Sequence, residues 1–338
     1  MGFWRQLVEQ ARESLPPNLR RWHGLRLLVA DCTFLDLPEA FWPRFGAHGG
    51  GRGQGPALVQ AIVLYELASR CPIAFRLGSA KSDDRALFLR LLGQVHADDL
   101  LLVDNGFYSI EVLARILRRG AHFLIPTRSN AQPALLERLG ADDGLYQIRA
   151  GDYWNDHPDV PSQMTVRRVV CHRDGFRPRT LVTSRVDPVR FPAADLVALY
   201  HQRWHIETFF RDLKHTLHVT HGHARTLKPL YTERIFALAL ATLTRLLMAQ
   251  AAAQAHGSPP SISFAKSLPR VVRALALAGS PFSPGGEQLH RELIVCLALC
   301  RLDQRPGRSF ERDTQKRRSA SRAQRRLPLA PCPQKPLS

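Results

Sequence analysis

Two short apolar runs, each ending at a carboxylate, constrain this chain more than any other feature. Arg26 to Asp31 finishes as LLVAD, and Leu100 to Val103 reads LLLV ahead of Asp104. Both are too short for a helix and predict buried strands. Between them, Ala57–Leu67 and Pro72–Leu77 are β-branched and aromatic on either side of a break at Ser69-Arg70, which predicts two pairing strands. Ser82-Asp83-Asp84 places an N-cap and acidic first-turn residues ahead of the helical stretch ALFLRLL. Ser109 caps a further helix through Arg119, which Gly120 stops, and His122–Pro126 is another strand. This order of elements is that of an α/β domain with a mixed sheet.

From Ala131 to Arg190 the texture changes. LYQIRA, MTVRRVVC and RTLVTS are strand-like pieces separated by Gly, Asp and Pro clusters, so a β-rich insertion is expected here. Pro192 with Asp195 opens a long helix to about Leu217, and Pro229–Ala255 and Glu287–Leu302 read as two more. The five glycines of HGGGRGQGP (48–56) lack G-K-[ST] and read as a turn rather than a phosphate-binding loop.

Charge narrows the partner list. The 338 residues carry 47 Lys+Arg against 29 Asp+Glu, a formal +18, while 45% hydrophobic residues suffice for a packed core. From Arg301 to Ser338, eleven cations face three acids among five prolines. That stretch reads as a solvated basic arm suited to phosphate neutralisation, which makes nucleic acid the first candidate partner. The apolar stretch Ile235–Thr244 is bracketed by Arg234 and Arg245 and falls far short of the ~20 residues of a bilayer span, so no membrane partner is expected. The N-terminal residues have no apolar core of signal-peptide length, and the six cysteines form no C-x-x-C pair, so a cytoplasmic chain with reduced thiols is expected.

The long helix carries the chemistry. At 100° per residue, Tyr200, Arg203, Glu207 and Lys214 share an arc of about 60°, bordering the apolar stripe of Leu199, Ile206, Phe210, Leu213 and Leu217. Glu207 held between cations could be an ordinary i, i+4 ion pair with Arg203, worth some 0.2–0.5 kcal/mol. Asp31 and Asp104 favour another reading. Ligands of open α/β sheets gather outside the carboxyl ends of strands, and three acids from different elements can hold two hard cations that act on a phosphodiester. Magnesium or manganese suits such all-oxygen donors.

Tyr200-x2-Arg203-x3-Glu207-x6-Lys214 resembles the YREK signature of bacterial insertion-sequence transposases of the DDE class, whose core is ribonuclease-H-like. VADCTFLDLP around Asp31 looks like their first-acid block, and LLLVDNGFYSIEVLARILRRGAHFLIPTR around Asp104 like their second. The resemblance runs from Trp22 to Thr226. It implies that Asp31, Asp104 and Glu207 ligate two Mg²⁺ (or Mn²⁺) ions, and that Tyr200, Arg203 and Lys214 contact phosphates of the transposon end. The implied reaction is cleavage at the end of the element and attack of the freed 3′-hydroxyl on target DNA. Its partners would be double-stranded DNA, as terminal inverted repeats and target, and a second copy of the chain on paired ends, associated with the bacterial nucleoid.

The organisation implied is a connector or remnant (1–24), a ribonuclease-H-like mixed sheet with flanking helices (25–130), and the β-rich insertion between second and third acids (131–191). A catalytic helix (192–226), a helical C-terminal region (227–302) and the basic arm (303–338) follow. Two departures stand out: relatives have Gly where Cys32 follows the first acid, and they carry a longer segment before it. The second departure leaves open a truncated, inactive DNA-binding fragment as an alternative, and a metal nuclease of the same fold is a third reading. Trp154 is the one tryptophan between Asp104 and Trp204 and so the candidate for the base-gripping residue that some relatives carry in the insertion. His215, His218, His221 and His223 crowd the end of the helix but do not match a familiar zinc spacing.

Overall fold

The computed structural model describes residues 2–15, 17–46, 57–127, 133–149, 161–172, 178–219, 224–255, 262–280 and 285–302. The glycine-rich 48–56 segment, Trp154, His221, His223 and the basic arm lie outside the described residues.

Among the described residues, nine strands form one mixed sheet. They are β1 (Arg26–Leu37), β2 (Ala57–Glu66), β3 (Cys71–Ser79), β4 (Asp99–Val103), β5 (His122–Pro126), β6 (Ala134–Gly140), β7 (Asp143–Arg149), β8 (Gln163–Cys171) and β9 (Arg179–Thr183). Their order is β3-β2-β1-β4-β5-β9-β8-β7-β6. β1, β4 and β5 run parallel, while β2, β3 and the strands beyond β5 are antiparallel to their neighbours. The stretch read as an insertion therefore continues the sheet through β9, which pairs with β5.

Helices cover the sheet. α1 (Gly2–Glu13), α2 (Pro17–Arg20) and α3 (Trp42–Phe45) lie early in the chain, and α4 (Asp84–Leu89) and α5 (Ile110–Arg118) flank β4. Asp83 accepts from the Arg85 amide at the start of α4, and Ser109 accepts from the Val112 amide at the start of α5, as their sequences predict. Gly120 follows α5 at φ +70°, a left-handed position that glycine fills without strain. Then come α6 (Ala193–His201), α7 (His205–Arg211), α8 (Leu227–Gln254), α9 (Phe264–Ala278) and α10 (Gly286–Ala298).

The period-2 alternation of β1 divides the core. Leu28 and Ala30 join Leu101, Val103, Phe123 and the residues of α4 and α5 on one face. Val29 and Leu35 join Leu100, Leu102 and the residues of α1, α6, α7 and α8 on the other. Asp31 continues the second series, so its side chain faces the α6–α8 layer.

Three expectations change. The N-terminal segment is no mere connector: Trp4, Leu7, Val8 and Ala11 make a buried stripe, and Trp4 Nε1 donates to Thr242 Oγ1 of α8 at 3.2 Å. The strand β6 and the helix α9 add elements that the sequence does not announce. β6 is almost wholly exposed at the sheet edge and lacks alternation, and α9 carries Pro269 inside it. α8 has the length and apolarity of a membrane span, but it packs on α1, α9 and α10 as a core helix.

Candidate active site

The register of β1 against β4 brings the two acids together, although only Asp104 stands at a strand end: β1 runs on to Leu37 paired with β2, so Asp31 lies midway along it rather than closing it. Arg26 pairs with Asp99 and Ala30 with Val103, so the next step along each strand sets Asp31 beside Asp104. The first of these pairs is also a two-pronged ion pair: Arg26 Nε lies 2.7 Å from Asp99 Oδ1 and Nη2 2.6 Å from Oδ2. Both acids lie on the face that carries Leu100 and Leu102, towards the helix of Glu207. Asp104 is exposed at the end of β4, where its carbonyl anchors a short turn by accepting from the Phe107 amide.

The third acid arrives on a helix of changing pitch. Instead of one regular α-helix from 192 to 217, α6 passes through a 3₁₀ turn (Gln202–Trp204) into α7 and then a π turn (Asp212–Thr216). The Leu217 amide donates to the Asp212 carbonyl, five residues back, at 2.9 Å. An even 100° per residue therefore fails beyond Arg211. Tyr200 and Arg203 interact, and Arg203 reaches Glu207; burial depresses the Lys214 pKa, and the charge of Asp36, further along β1, opposes this.

Arg203 is the hub. Nη1 lies 3.0 Å from Asp31 Oδ2 and Nη2 lies 3.1 Å from Glu207 Oε1. The i, i+4 pair expected from spacing is present, and the same guanidinium reaches a residue 172 positions away. Burial pushes the Asp31 carboxyl up to about 6; Arg203 and the Cys32 amide at 2.8 Å oppose this, and Asp104 and Glu207 add to it. Mutual repulsion of this kind places the three acids within one electrostatic neighbourhood.

Tyr200 is 5% exposed, and its hydroxyl donates to the Val103 carbonyl at 3.3 Å. Burial raises the phenol pKa and Asp104 raises it further, while Arg203 opposes as both a charge and a hydrogen-bond partner. Cys32 points to the opposite face of the sheet, towards Gln60 and Asp84, and burial suppresses its ionisation.

Other contacts that spacing does not reveal hold the helix in place. Arg70 Nη1 donates to His205 Nδ1 at 2.9 Å, and burial together with Arg70 holds the imidazole neutral, down to about 4. Arg245 Nη2 lies 2.8 Å from Asp212 Oδ2 at the π turn. Arg167, 1% exposed, pairs with Asp143 and donates to the Phe191 carbonyl at 2.6 Å, tying the β7–β8 hairpin to the segment that leads into α6. Each joins residues remote in sequence, and only the buried cations themselves hint at them.

The donor set suits a hard divalent cation. Asp31 and Glu207 share Arg203, Asp104 follows the last residue paired with β1, and Asp31 is desolvated as an anion, a condition that a bound cation relieves. Among the described residues, no three His, Cys, Asp or Glu side chains stand close enough to enclose a metal as they are, and Arg203 bridges Asp31 and Glu207.

A fold with a mixed sheet, flanking helices and acids gathered at its parallel strands defines an α/β protein with a carboxylate-rich centre. Comparison with known proteins specifies it. The transposase DDE domain model matches residues 22–243, and the chain belongs to that family, whose function is DNA transposition. It is 32% identical over 312 residues to the transposase InsG for insertion sequence element IS4 of Escherichia coli (strain K12), covering 88% of this chain and 69% of that protein. A probable transposase for insertion sequence element IS5377 of Geobacillus stearothermophilus is 29% identical over 176 residues, covering 51% of this chain and 45% of its own length. Among solved structures, the piggyBac transposase synaptic complex with hairpin DNA aligns over 86% of this chain and 60% of its own, at a TM-score of 0.46 and 11% identity.

Proposed function

We propose that Asp31, Asp104 and Glu207 are the acid triad of a YREK-type DDE transposase with a ribonuclease-H-like core. The observation that carries the proposal is the β1/β4 register, which sets Asp31 beside Asp104 on the face where Arg203 links Asp31 to Glu207. The strand order β3-β2-β1-β4-β5, with β2 antiparallel to β1, supports the ribonuclease-H-like assignment. DNA cleavage and strand transfer are the reactions that membership of the family implies.

Two Mg²⁺ or Mn²⁺ ions held by the three carboxylates would activate the attacking oxygen and stabilise the leaving oxygen of the phosphodiester. The chain's own residues do the rest. Asp31, held in the ladder of β1, Asp104, one residue past the last pair Ala30–Val103, and Glu207, carried by the helix, present oxygen donors from three elements. Arg203, released from one of its carboxylates, offers a planar fork that matches a phosphate bidentately. Lys214, half-buried on the same helical segment, supplies a second cation further along the backbone. In the first step water attacks phosphorus and the P–O3′ bond breaks, leaving a 3′-hydroxyl and a 5′-phosphate. In the second step that 3′-hydroxyl attacks a phosphorus of target DNA and displaces a 3′-oxygen there. Pairing of two transposon ends by two copies of the chain, on the bacterial nucleoid in the cytoplasm, completes the proposal.

The test is metal-dependent cleavage of a duplex bearing the element's end. Asp31→Asn, Asp104→Asn and Glu207→Gln should each remove cleavage while leaving DNA binding in place. Wild-type cleavage by any of the three removes that residue from the triad. Should the unaltered full-length chain bind but never cut, with every metal tried, the DNA-binding fragment is the better reading.

A further inference from the structure

We propose that Arg70, in the turn between β2 and β3, is a positioning residue that sets the rotation of the helix carrying Glu207, and that it holds this place at a cost in stability. This rests on the acid-triad reading. Arg70 is the last residue before β3 and stands at φ +58°, in the left-handed region where a residue with a side chain is strained. Its Nη1 donates to His205 Nδ1 at 2.9 Å, so the hydrogen of the neutral ring sits on Nε2. Among the described residues no carboxylate pairs with Arg70; burial lowers its pKa, and the charge of Arg245 adds to that effect. A cation with a strained backbone and no counter-charge does little to hold a fold together. What it grips accounts for it.

His205 opens α7, two residues before Glu207, and Phe209, two residues after it, meets the Tyr65 ring of β2 with 5.3 Å between centroids. At about 100° per residue, His205 and Phe209 share one face of α7 and Glu207 lies on the other. The β2–β3 hairpin therefore holds α7 at two points behind the acid. The ring contact is apolar and tolerates a turn of the helix, whereas the Arg70–His205 bond is directional. It also falls where the 3₁₀ turn Gln202–Trp204 gives way to α7, so it fixes where the α-helical pitch begins. The hairpin is a firm base for this. Glu66, at the end of β2, accepts from Arg12 Nε at 2.9 Å and from Ser69 Oγ at 2.6 Å. Further back along the same strand, Val63 pairs with Asp31. One hairpin thus holds the strand of the first acid through its ladder and the helix of the third through Arg70.

The test uses Arg70→Gly, His205→Asn and His205→Leu in the full chain, with Mn²⁺ titration followed by electron paramagnetic resonance without DNA. Glycine accepts the left-handed backbone and removes the guanidinium, asparagine keeps an acceptor close to the Nδ1 position, and leucine keeps none. Loss of a group that orients a metal ligand weakens the metal about tenfold or more, so Arg70→Gly and His205→Leu should each raise the Mn²⁺ dissociation constant about tenfold, and His205→Asn should stay near wild type. The double variant Arg70→Gly with His205→Leu should be no worse than either single one, because both remove the same bond. Arg70→Gly should melt at or above the wild-type temperature, keep its DNA-end affinity and salt dependence, and regain cleavage as Mn²⁺ is raised. Unchanged Mn²⁺ affinity in Arg70→Gly, or losses that add in the double variant, overturns the proposal. A melting temperature well below wild type would make Arg70 an ordinary structural residue, and a weaker, less salt-dependent grip on DNA would make it a phosphate contact; either overturns it too. If Arg70→Gly does not fold, equal Mn²⁺ affinity in His205→Asn and His205→Leu overturns it instead. Glu207→Gln separates the two levels: Mn²⁺ binding that survives in that variant defeats the triad reading itself, whatever Arg70 does.

Discussion

Arg203 and Asp31 lie 172 positions apart in sequence and 3.0 Å apart in space, and the same arginine holds Glu207 at 3.1 Å. A cation placed between two acids of the proposed triad neutralises them and occupies room that a metal would need. Arg203→Gln is therefore expected to bind Mn²⁺ several-fold more tightly without DNA, yet to lose cleavage by about 10²-fold, because the charge that grips the phosphate is gone. Calorimetric Mn²⁺ titration, set beside single-turnover cleavage, reads both. Weaker Mn²⁺ binding in the variant would mean that Arg203 helps to assemble the acids rather than competing for them.

Asp31 predicts a stability cost that its function imposes. Its carboxyl rises from 3.8 to about 6 in the fold, chiefly through burial, so the folded chain holds that proton more tightly than the unfolded chain does. Its contribution to stability therefore falls as pH rises from about 4 to about 6 and is constant above. At one pKa unit per 1.36 kcal/mol the ionised group costs on the order of 2–3 kcal/mol. In chelator at pH 7.5, Asp31→Asn should melt a few degrees above wild type. The difference between the two should shrink towards pH 4. An unchanged melting temperature at pH 7.5 would place Asp31 in a wetter setting than its neighbours suggest.

Lys214 feels the charge of Asp36. Lys214→Ala should leave metal binding untouched, weaken DNA binding, and reduce the slope of log affinity against log salt by about one unit. Filter binding of an end duplex across a salt series decides this. An unchanged slope would leave Lys214 as a partner of Asp36 only.

Much of this was legible before folding, and the misses share a cause. Asp31 and Asp104 are legible as neighbours because each follows a short apolar run that forms a parallel pair, although β1 continues past Asp31 to Leu37, where the polar alternation hides its second half. The Arg203–Glu207 ion pair is legible from its i, i+4 spacing, and it forms in spite of the 3₁₀ turn at Gln202–Trp204. Beyond Arg211 spacing no longer converts to angle, because the pitch changes at the π turn that begins at Asp212. α1 was misjudged because mean composition hid the stripe of Trp4, Leu7, Val8 and Ala11. Arg70–His205, Arg245–Asp212 and Arg167–Asp143 were invisible because long-range charge partners leave no local pattern.

Arg234 is 4% exposed, and its Nε and Nη2 have no hydrogen-bond partner among the described residues. It borders a cavity of about 20 Å³ that Thr33, Leu35, Val63 and Leu213 also line, and burial lowers its pKa. An unsatisfied buried charge costs more than an apolar side chain of similar length, so Arg234→Met should raise stability by about 1–2 kcal/mol. Urea unfolding provides the measurement, and a lower midpoint would show that a water or an anion in the cavity satisfies the guanidinium.

Arg26 and Asp99 tie β1 to β4 at the ends opposite the acids, with Asp99 3% and Arg26 14% exposed at the side chain. Asp99 also accepts from the His96 amide at 2.8 Å, so the pair fixes the entry into β4 as well as its register. Asp99→Leu strands a largely buried guanidinium and should cost about 3–5 kcal/mol. Arg26→Leu with Asp99→Leu removes both charges, and apolar replacement of a buried pair is close to neutral, so the double variant should recover most of that loss. Cleavage should recover with it. The alternation of Leu28, Val29 and Ala30 between two buried faces forbids a one-residue slip without the ion pair, since a slip would turn Asp31 into the α4–α5 layer. Chemical denaturation and end cleavage of the single and double variants decide the matter. A double variant that folds as stably as wild type but cannot cleave would show that the ion pair, rather than the hydrophobic pattern, holds Asp31 beside Asp104.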